Sequence, residues 1–347
     1  MMIERVGIIT IFDLNNYGNR LQSYAVNYVL KSLNKEPENI VNLNKGIIRV
    51  YLKINLSFLF IGTKKEEAKR GQIFSKFTKM YGNTSYRYTK SRYDFVICGS
   101  DQIWNPSWAG TPEMFGNFAD KSKRIAYAAS FGVSEIPKEK KEYYKKYLSE
   151  MKAISVREEA GARIVKELTG RDAEVLVDPT LMLDKNEWRK ISKKPRFYDN
   201  KKYILTYFLG SVDKKYRQYI DNIAKTKEYE IINLEEENPN EYWNSTGPAE
   251  FIWLIEHCEV MFTDSFHGSV FSVLMNVPFI VFERNDNQAS MSSRIDTLLK
   301  TLQIPDRRFN NQTIEQVMNK DYTHIPAILE RERNKAIKFL KDAMEIE

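Results

Sequence analysis

Short apolar strands alternate with amphipathic helices along most of this chain, and this alternation constrains the fold more than any other feature. In the first unit, the β-branched run 7–12 leads through a polar loop into a helical spacing of apolar residues over 19–33. Further strands are predicted at 93–98, 124–129, 153–156, 174–177, 203–208, 229–234, 260–262 and 279–282. Strand–helix units of this kind form right-handed crossovers in parallel sheets, so the sequence predicts an α/β protein.

A polar, basic stretch at 185–200, which contains Pro195, interrupts the alternation and predicts a linker between two domains. The 347 residues are sufficient for two hydrophobic cores, since single cores stop growing at about 250–300 residues. We expect two Rossmann-like, doubly wound domains that face a cleft, spanning 1–188 and 189–325, with a C-terminal helix at 326–347 packing back on the first domain. Ligands bind beyond the carboxyl ends of strands in such sheets, so residues that directly follow strands are the site candidates.

Composition narrows the classes of function. The net charge is +7, but the basic residues are dispersed and form no zinc-finger or homeodomain pattern, so nucleic-acid binding is not predicted. Cys98 and Cys258 lie in apolar runs without a CxxC motif, which predicts buried thiols in a reducing compartment. The chain begins with a predicted strand rather than a signal peptide, and its apolar stretches are too short or interrupted to span a bilayer. We expect a cytoplasmic protein whose membrane contact is at most peripheral.

The loop after the first strand carries Asn16, Tyr17, Asn19 and Gln22 around the single glycine Gly18. Amide side chains both donate and accept hydrogen bonds, so they suit sugar hydroxyls, and a helix N-terminus favours anions. One glycine does not make a GxGxxG fingerprint, and no Walker lysine follows, so nicotinamide or ATP binding is not predicted. We therefore expect these four residues to contact a sugar acceptor. The alternative is that the asparagines only cap the helix.

The segment after strand 93–98 carries Asp101, Gln102 and Trp104. A carboxylate, an amide and an indole together are typical of a sugar site, because the ring stacks on the indole while the acid accepts a hydroxyl proton. The alternative is a turn with a cap residue, ahead of a tryptophan that belongs to the core. We favour a role in binding the acceptor, with Asp101 as the general base.

Two arginines and one histidine are candidates for binding and protonating an anion. Arg157 lies between a strand and a helix, where its guanidinium matches a phosphate or carboxylate. Arg294 lies in the first turn of a predicted helix, a position unfavourable for a cation unless it faces an anion. His267, one of three histidines, directly follows a strand and can donate a proton or hold a phosphate. The alternatives are surface ion pairs and a structural histidine. His257 and His324 look incidental, and no metal-ligand spacing surrounds His267.

Taken together, these segments resemble the polysaccharide pyruvyl transferase family over residues 5–305. The motifs that carry the resemblance are, in order, Asn15-Asn-Tyr-Gly, Gly99-Ser-Asp-Gln-Ile-Trp-Asn-Pro, Ser155-Val-Arg-Glu, Val177-Asp-Pro-Thr-Leu, Thr263-Asp-Ser-Phe-His-Gly and the SSRIDTLL stretch from Ser292. The resemblance implies a GT-B-like fold, phosphoenolpyruvate as the donor and no further cofactor. It also implies a sugar acceptor, often on a lipid diphosphate, and a ketal-pyruvate product on a bacterial surface glycan such as a capsule or exopolysaccharide.

The resemblance also assigns roles to individual residues. His267 matches the catalytic histidine of the family and Arg157 its donor-binding arginine, with the first domain on the acceptor side and the second on the donor side. Many members carry an arginine two residues before that histidine, whereas this chain has Ser265. The donor site, which also includes Gly268, therefore needs another cation, for which Arg294 is the candidate. The alternative functions are a nucleotide-sugar-dependent glycosyltransferase of the same fold and a glycan-binding module.

Overall fold

The computed structural model describes residues 3–12, 16–41, 63–85, 92–284 and 292–346. Their strands are β1 (Arg5–Ile9), β2 (Glu36–Ile40), β3 (Thr84–Ser85), β4 (Phe95–Cys98), β5 (Arg124–Ala129), β6 (Ala153–Val156), β7 (Glu174–Val175), β8 (Tyr203–Phe208), β9 (Glu230–Glu235), β10 (Val260–Thr263) and β11 (Phe279–Val281). They form a seven-stranded sheet in the order β3-β2-β1-β4-β5-β6-β7 and a four-stranded sheet in the order β11-β10-β8-β9. We call the seven-stranded sheet with its helices the N-terminal half, and the four-stranded sheet with its helices the C-terminal half.

Helices follow most of the strands. They are α1 (Tyr17–Ser32), α2 (Thr63–Tyr81), α3 (Lys141–Ser149), α4 (Glu159–Thr169), α5 (Lys185–Arg189), α6 (Lys214–Lys227), α7 (Glu241–Ser245), α8 (Pro248–His257), α9 (Phe266–Met275), α10 (Ser292–Thr301), α11 (Ile314–Met318) and α12 (Ile325–Ala343). The strand pairs within both sheets are parallel. Parallel strands covered by helices are buried on both faces, and accordingly every residue of β4, β5, β8 and β10 is buried.

Each sheet has one point at which the strand order reverses. In the first sheet, β1 lies between β2 and β4, and in the second sheet β8 lies between β9 and β10. Ligands of doubly wound sheets bind in the crevice that such a reversal opens at the carboxyl ends of the strands. The start of α1 and the segment 99–101 lie at the first reversal, whereas Gly210 and Asp264 lie at the second.

The two halves share one of the hydrophobic clusters, and each half also has a cluster of its own. A single cluster of buried side chains extends from Val6 to Met344 and includes residues of both sheets. Helix α1 contacts α8 and α9 of the other half directly. Cys98 and Cys258 are buried free thiols, as predicted, and burial raises the pKa of Cys98 to about 12.

Helix α12 of the C-terminal segment packs on the N-terminal half. The guanidinium of Arg333 donates to the carbonyl oxygens of Leu181 at 2.7 Å and Leu183 at 2.9 Å. Lys152 at the start of β6 pairs with Glu345 at 2.7 Å. No helix in the described ranges combines the length and the apolar character needed to cross a bilayer.

Several predicted elements differ from those of the structure. The stretch 185–200 is not simply a linker, because α5 begins it and Trp188 is completely buried in the shared core. Helix α9 begins at Phe266, so His267 lies inside its first turn and not in the loop between strand and helix. The boundary predicted between 188 and 189 falls in the connection between the two sheets.

Candidate active site

The first turn of α1 presents a glycine to the other half of the molecule. The side-chain oxygen of Asn16 accepts the backbone N–H of Asn19 at 3.1 Å, so Asn16 caps this helix. A Cβ atom placed on Gly18 would lie 2.0 Å from Nδ1 of His267. Because only a residue without a side chain permits this approach, Gly18 allows the first turn of α1 to pack against the imidazole of the C-terminal half.

His267 is held at the start of α9. The side-chain oxygen of Ser265 accepts the N–H of Gly268 at 3.3 Å and caps this helix. The imidazole is 6% exposed, and its Nε2 lies 3.8 Å from Oδ2 of Asp178. Ser265 and Gly268, predicted to bind the donor, therefore have a capping role in this structure, and they place the histidine beside a carboxylate of the N-terminal half.

Arg157, directly after β6, faces the same carboxylate. Its Nη1 donates to Oδ2 of Asp178 at 2.6 Å, and its Nη2 lies 3.5 Å from Oδ1 of Asp101. The guanidinium also lies over the ring of Phe266, 4.4 Å from the ring centroid. Burial alone lowers the pKa of Arg157, but Asp178, Asp101 and Glu158 together raise it above its ordinary value. Arg157 is thus a buried cation whose charge the protein itself balances.

Both carboxyls of this cluster are ionised at neutral pH. Burial raises the pKa of Asp101, but the charges of Arg157, His267 and Arg294 outweigh it and hold that pKa below its ordinary value. Burial acts in the same direction on Asp178, whose pKa is nevertheless held far below its usual range, chiefly by Arg157. A carboxylate with a lowered pKa is a weaker base, which reduces the power of Asp101 in its predicted role as general base.

Arg294 joins the cluster from α10 and is 5% exposed. When the amide oxygen of Gln102 faces the guanidinium, it accepts hydrogen bonds from both terminal nitrogens of Arg294, at 3.0 and 3.2 Å. Burial, together with the charges of Arg157 and Arg284, lowers the pKa of Arg294 to about 9, although Glu158 and Asp101 oppose this shift. Burial is the largest cause of this shift, and the two neighbouring arginines add to it.

Asp264 and Arg284 lie at the strand reversal of the second sheet, and neither was among the predicted site residues. Asp264, after β10, accepts the N–H groups of Leu209 and Gly210, both at 2.9 Å. Nε of Arg284, shortly after β11, lies 3.3 Å from Oδ2 of Asp264. The only sequence signal for Arg284 is its position just beyond a predicted strand, the same signal that identified Arg157.

One family of known proteins matches most of this chain. A model of the family described as polysaccharide pyruvyl transferase matches residues 16–287, which include all of the charged residues above except Arg294. The chain belongs to the polysaccharide pyruvyl transferase family. A comparison with curated proteins found no match.

Solved structures similar to this pyruvyl transferase family member include S. aureus MnaA in a co-structure with UDP. That chain has a TM-score of 0.50 and 11% identity, with 99% of this chain and 98% of that chain covered. The UDP-GlcNAc 2-epimerase of Methanocaldococcus jannaschii, in complex with UDP-GlcNAc and UDP, has a TM-score of 0.46 and 11% identity, with 97% and 99% covered. At such identity the likeness to MnaA is one of fold, and the protein is α/β with two Rossmann-like sheets in a GT-B-like arrangement.

Two aromatic residues predicted to contact the acceptor belong to the core of this family member. Tyr17 is completely buried, stacks on Phe251 at 4.3 Å and bonds through its hydroxyl to Arg70 at 2.9 Å. Trp104 is also completely buried, and its indole N–H donates to the carbonyl oxygen of Met114 at 3.2 Å. The prediction that these two residues contact the acceptor is therefore wrong for this structure, because other side chains already cover both rings.

Gln22 is likewise buried rather than open to a ligand. Its amide nitrogen donates to the hydroxyl of Thr10 at 2.7 Å, and its amide oxygen accepts the N–H of Ser100 at 3.2 Å. It therefore joins the ends of β1 and β4 instead of facing the cleft. Asn19 does reach the charged cluster, because its side-chain nitrogen lies 3.3 Å from Oδ2 of Asp101.

An exposed aromatic residue lies four positions after the buried Trp104. Trp108 is 49% exposed, in the turn-rich segment that follows β4. The backbone of this segment is fixed by Asn105, whose side-chain oxygen accepts the N–H of Ser107 at 2.9 Å. Of the two tryptophans in the segment after β4, Trp104 and Trp108, Trp108 is therefore the exposed one.

Proposed function

We propose that this protein transfers the enolpyruvyl-derived group of phosphoenolpyruvate to two hydroxyls of one sugar, forming a ketal and releasing inorganic phosphate. The observation that carries the proposal is the convergence of His267, Arg157 and Arg294, from both halves, on one carboxylate-lined site. A small, multiply charged donor suits this site, because two further arginines, Arg157 and Arg284, are among the charges that lower the pKa of the buried Arg294.

The proposed chemistry uses His267 as a general acid. A sugar hydroxyl attacks C2 of the donor while the imidazolium protonates C3, which converts the methylene carbon into a methyl group and leaves C2 bonded to both the sugar oxygen and the phosphate. A second hydroxyl of the same sugar then attacks C2 and displaces phosphate. One hydroxyl proton restores the imidazolium through the general base, and the other leaves with phosphate. Asp101 is the nearest carboxylate described for the base, a role that its lowered pKa weakens and that Asp101→Asn tests.

The donor anion is held, in this proposal, by the cations and by a helix terminus. Arg294 binds the phosphate with the N-terminus of α9, since guanidinium groups and helix N-termini both favour phosphate. Arg157 lies on the other side, where its guanidinium faces the donor carboxylate. Holding both reactants in one closed site lowers the barrier by removing the entropy cost of their encounter.

The acceptor would approach from the N-terminal half, where Asn19 and Gln102 lie beside the cluster and Trp108 offers an exposed ring. We propose a sugar carried on a lipid diphosphate at the inner face of the membrane. The net charge of +7 supports this, because a basic surface attracts an anionic carrier.

Differential stabilisation tests the donor. We expect phosphoenolpyruvate to raise the melting temperature by several degrees, because a ligand at about 100 times its Kd adds about 2.7 kcal/mol of stability. Stabilisation by UDP or GDP sugars and not by phosphoenolpyruvate would instead favour a nucleotide-sugar-dependent glycosyltransferase. Stabilisation by glycans alone, without phosphate release, would favour a binding module.

A further inference from the structure

Asp178 follows the last strand of the first sheet, and its two carboxylate oxygens have separate partners. Oδ1 accepts the backbone N–H of Thr180 at 2.9 Å and its hydroxyl at 2.6 Å. Oδ2 accepts Nη1 of Arg157 at 2.6 Å and the hydroxyl of Ser100 at 3.1 Å, and lies 3.8 Å from Nε2 of His267. Capping of the turn that begins at residue 179 accounts for Oδ1 alone.

The histidine beside Oδ2 lies between two residues of the other half. Its Nε2 is buried and has no hydrogen-bond partner among the described residues, and 3.8 Å is close enough for an ion pair but too long for a hydrogen bond. Nδ1, across the ring, lies against Gly18. Nε2 is thus directed at Asp178, whereas Nδ1 is the nitrogen on the side of the α1 terminus.

We propose that Asp178 is the positioning residue of His267: it holds the N–H of Nε2 toward itself, fixes the ring against Gly18 and favours the imidazolium form that protonates the donor. The inference rests on the proposed function, because it assumes that His267 is the general acid. A buried carboxylate that fixes the tautomer and ring orientation of a histidine also stabilises the imidazolium form, which is the proton donor here. Arg157 keeps that carboxylate ionised.

The assignment has a consequence for the arrangement of the two halves. His267 belongs to the C-terminal half, while Asp178 and Gly18 belong to the N-terminal half. The general acid is therefore complete only when the halves are packed as in this structure. A separation of the halves would remove both contacts of the ring together.

The experiment compares Asp178→Asn with the wild type in phosphate release from phosphoenolpyruvate and in NMR of the imidazole rings. Three histidines make the ring signals tractable, and His267→Gln assigns the one of interest. We expect kcat to fall at least about 100-fold, the size of a general-acid contribution, while the KM for phosphoenolpyruvate does not rise. Without any donor, the ring signals of His267 should move, whereas those of His257 and His324 should not.

Two further variants separate positioning from loss of folding. Asp178→Glu keeps the charge for Arg157 but displaces the oxygens, so it should fold and still lose kcat. Glu150→Gln breaks the Arg124–Glu150 pair, 2.9 Å long, at the opposite end of β5, and should leave kcat unchanged.

The outcomes are distinct. Unchanged kcat in both Asp178 variants, or unmoved ring signals of His267, would overturn the assignment. A rise in KM with kcat intact would overturn it as well, because Asp178 would then act only through Arg157. A wild type without phosphoenolpyruvate-dependent turnover would end the proposed function, whereas the ring signals would still decide whether Asp178 orients His267.

Discussion

Arg157 and Arg294 belong to opposite halves of the site and are almost equally buried, at 3% and 5% exposure, yet their pKa values shift in opposite directions. Burial lowers the pKa of Arg157, but Asp178 and Asp101 outweigh this and raise it. Burial lowers the pKa of Arg294 to about 9, and the neighbouring charges of Arg157 and Arg284 act in the same direction. Identical side chains at similar depth therefore differ because of the charges around them.

The opposite pKa shifts indicate that the two arginines have different roles. The carboxylates of the N-terminal half already balance the charge of Arg157, so an arriving anion gains comparatively little there. The described charges that shift the pKa of Arg294 most are those of two arginines, so the same anion gains more there. We therefore expect Arg157 to govern the stability of the site and Arg294 to govern the affinity for the donor.

The largest expected effect is on folding. Arg157→Met should lower the free energy of unfolding by about 3–5 kcal/mol, because removing one partner leaves the buried charges of Asp178 and Asp101 uncompensated. Urea unfolding at neutral pH measures this change. Arg294→Met should lower the free energy of unfolding far less. Equal decreases in the two variants would contradict the expectation that Arg157, and not Arg294, governs stability.

The next effect is on donor affinity. Arg294→Met should raise the KM for phosphoenolpyruvate by about 10- to 100-fold, since a hydrogen bond to a charged group contributes about 1.5–3 kcal/mol. Arg308→Met serves as the control, because Arg308 pairs with Asp296 on the outer side of the same helix. A KM that changes equally in both variants would remove Arg294 from the donor site.

A smaller effect concerns acid stability. The pKa values of Asp101 and Asp178 are lower in the folded chain than in an unfolded one, so their stabilising contribution is complete above the unfolded value of about 3.9. That contribution is lost progressively as the pH falls from this value toward the lower folded values, because the unfolded carboxylates then bind protons that the folded ones do not. The free energy of unfolding, measured at pH 5 and pH 3, should differ less between the two pH values in Arg157→Met than in the wild type.

The smallest expected effect is on the acceptor. Trp108→Ala should raise the KM for the sugar by roughly 3- to 10-fold without changing the KM for phosphoenolpyruvate, because an aromatic contact contributes about 0.5–1.5 kcal/mol. Trp108→Phe should recover most of this loss. Steady-state kinetics with each substrate varied separately makes the comparison, and a change confined to the donor would place Trp108 in the other half of the site.

Part of this site could be predicted because the ends of buried strands can be recognised in the sequence. Arg157, Asp101 and His267 each directly follow an apolar run, and the carboxyl ends of parallel strands meet at one edge of a sheet. Their proximity could therefore be expected before any coordinates existed. Their chemical roles remain proposals.

Other residues could not be assigned from sequence because their environment is tertiary. Tyr17 and Trp104 also follow strands, but whether a ring faces a cleft or a core depends on side chains far along the chain, such as Phe251 for Tyr17. Asp178 precedes a proline and so resembles a cap, which explains only one of its oxygens. The partners of the other oxygen, Ser100 and Arg157, come from different strand ends.

Phosphate release from phosphoenolpyruvate, measured over a panel of lipid-linked sugars with wild-type protein and His267→Gln, tests the central claim most directly. His257→Gln is the control, because the ring of His257 stacks on Trp253 and bonds to its carbonyl oxygen. The account predicts one phosphate per ketal for the wild type and the control, and a loss of about 100- to 10,000-fold for His267→Gln. Near-normal turnover in His267→Gln would contradict it.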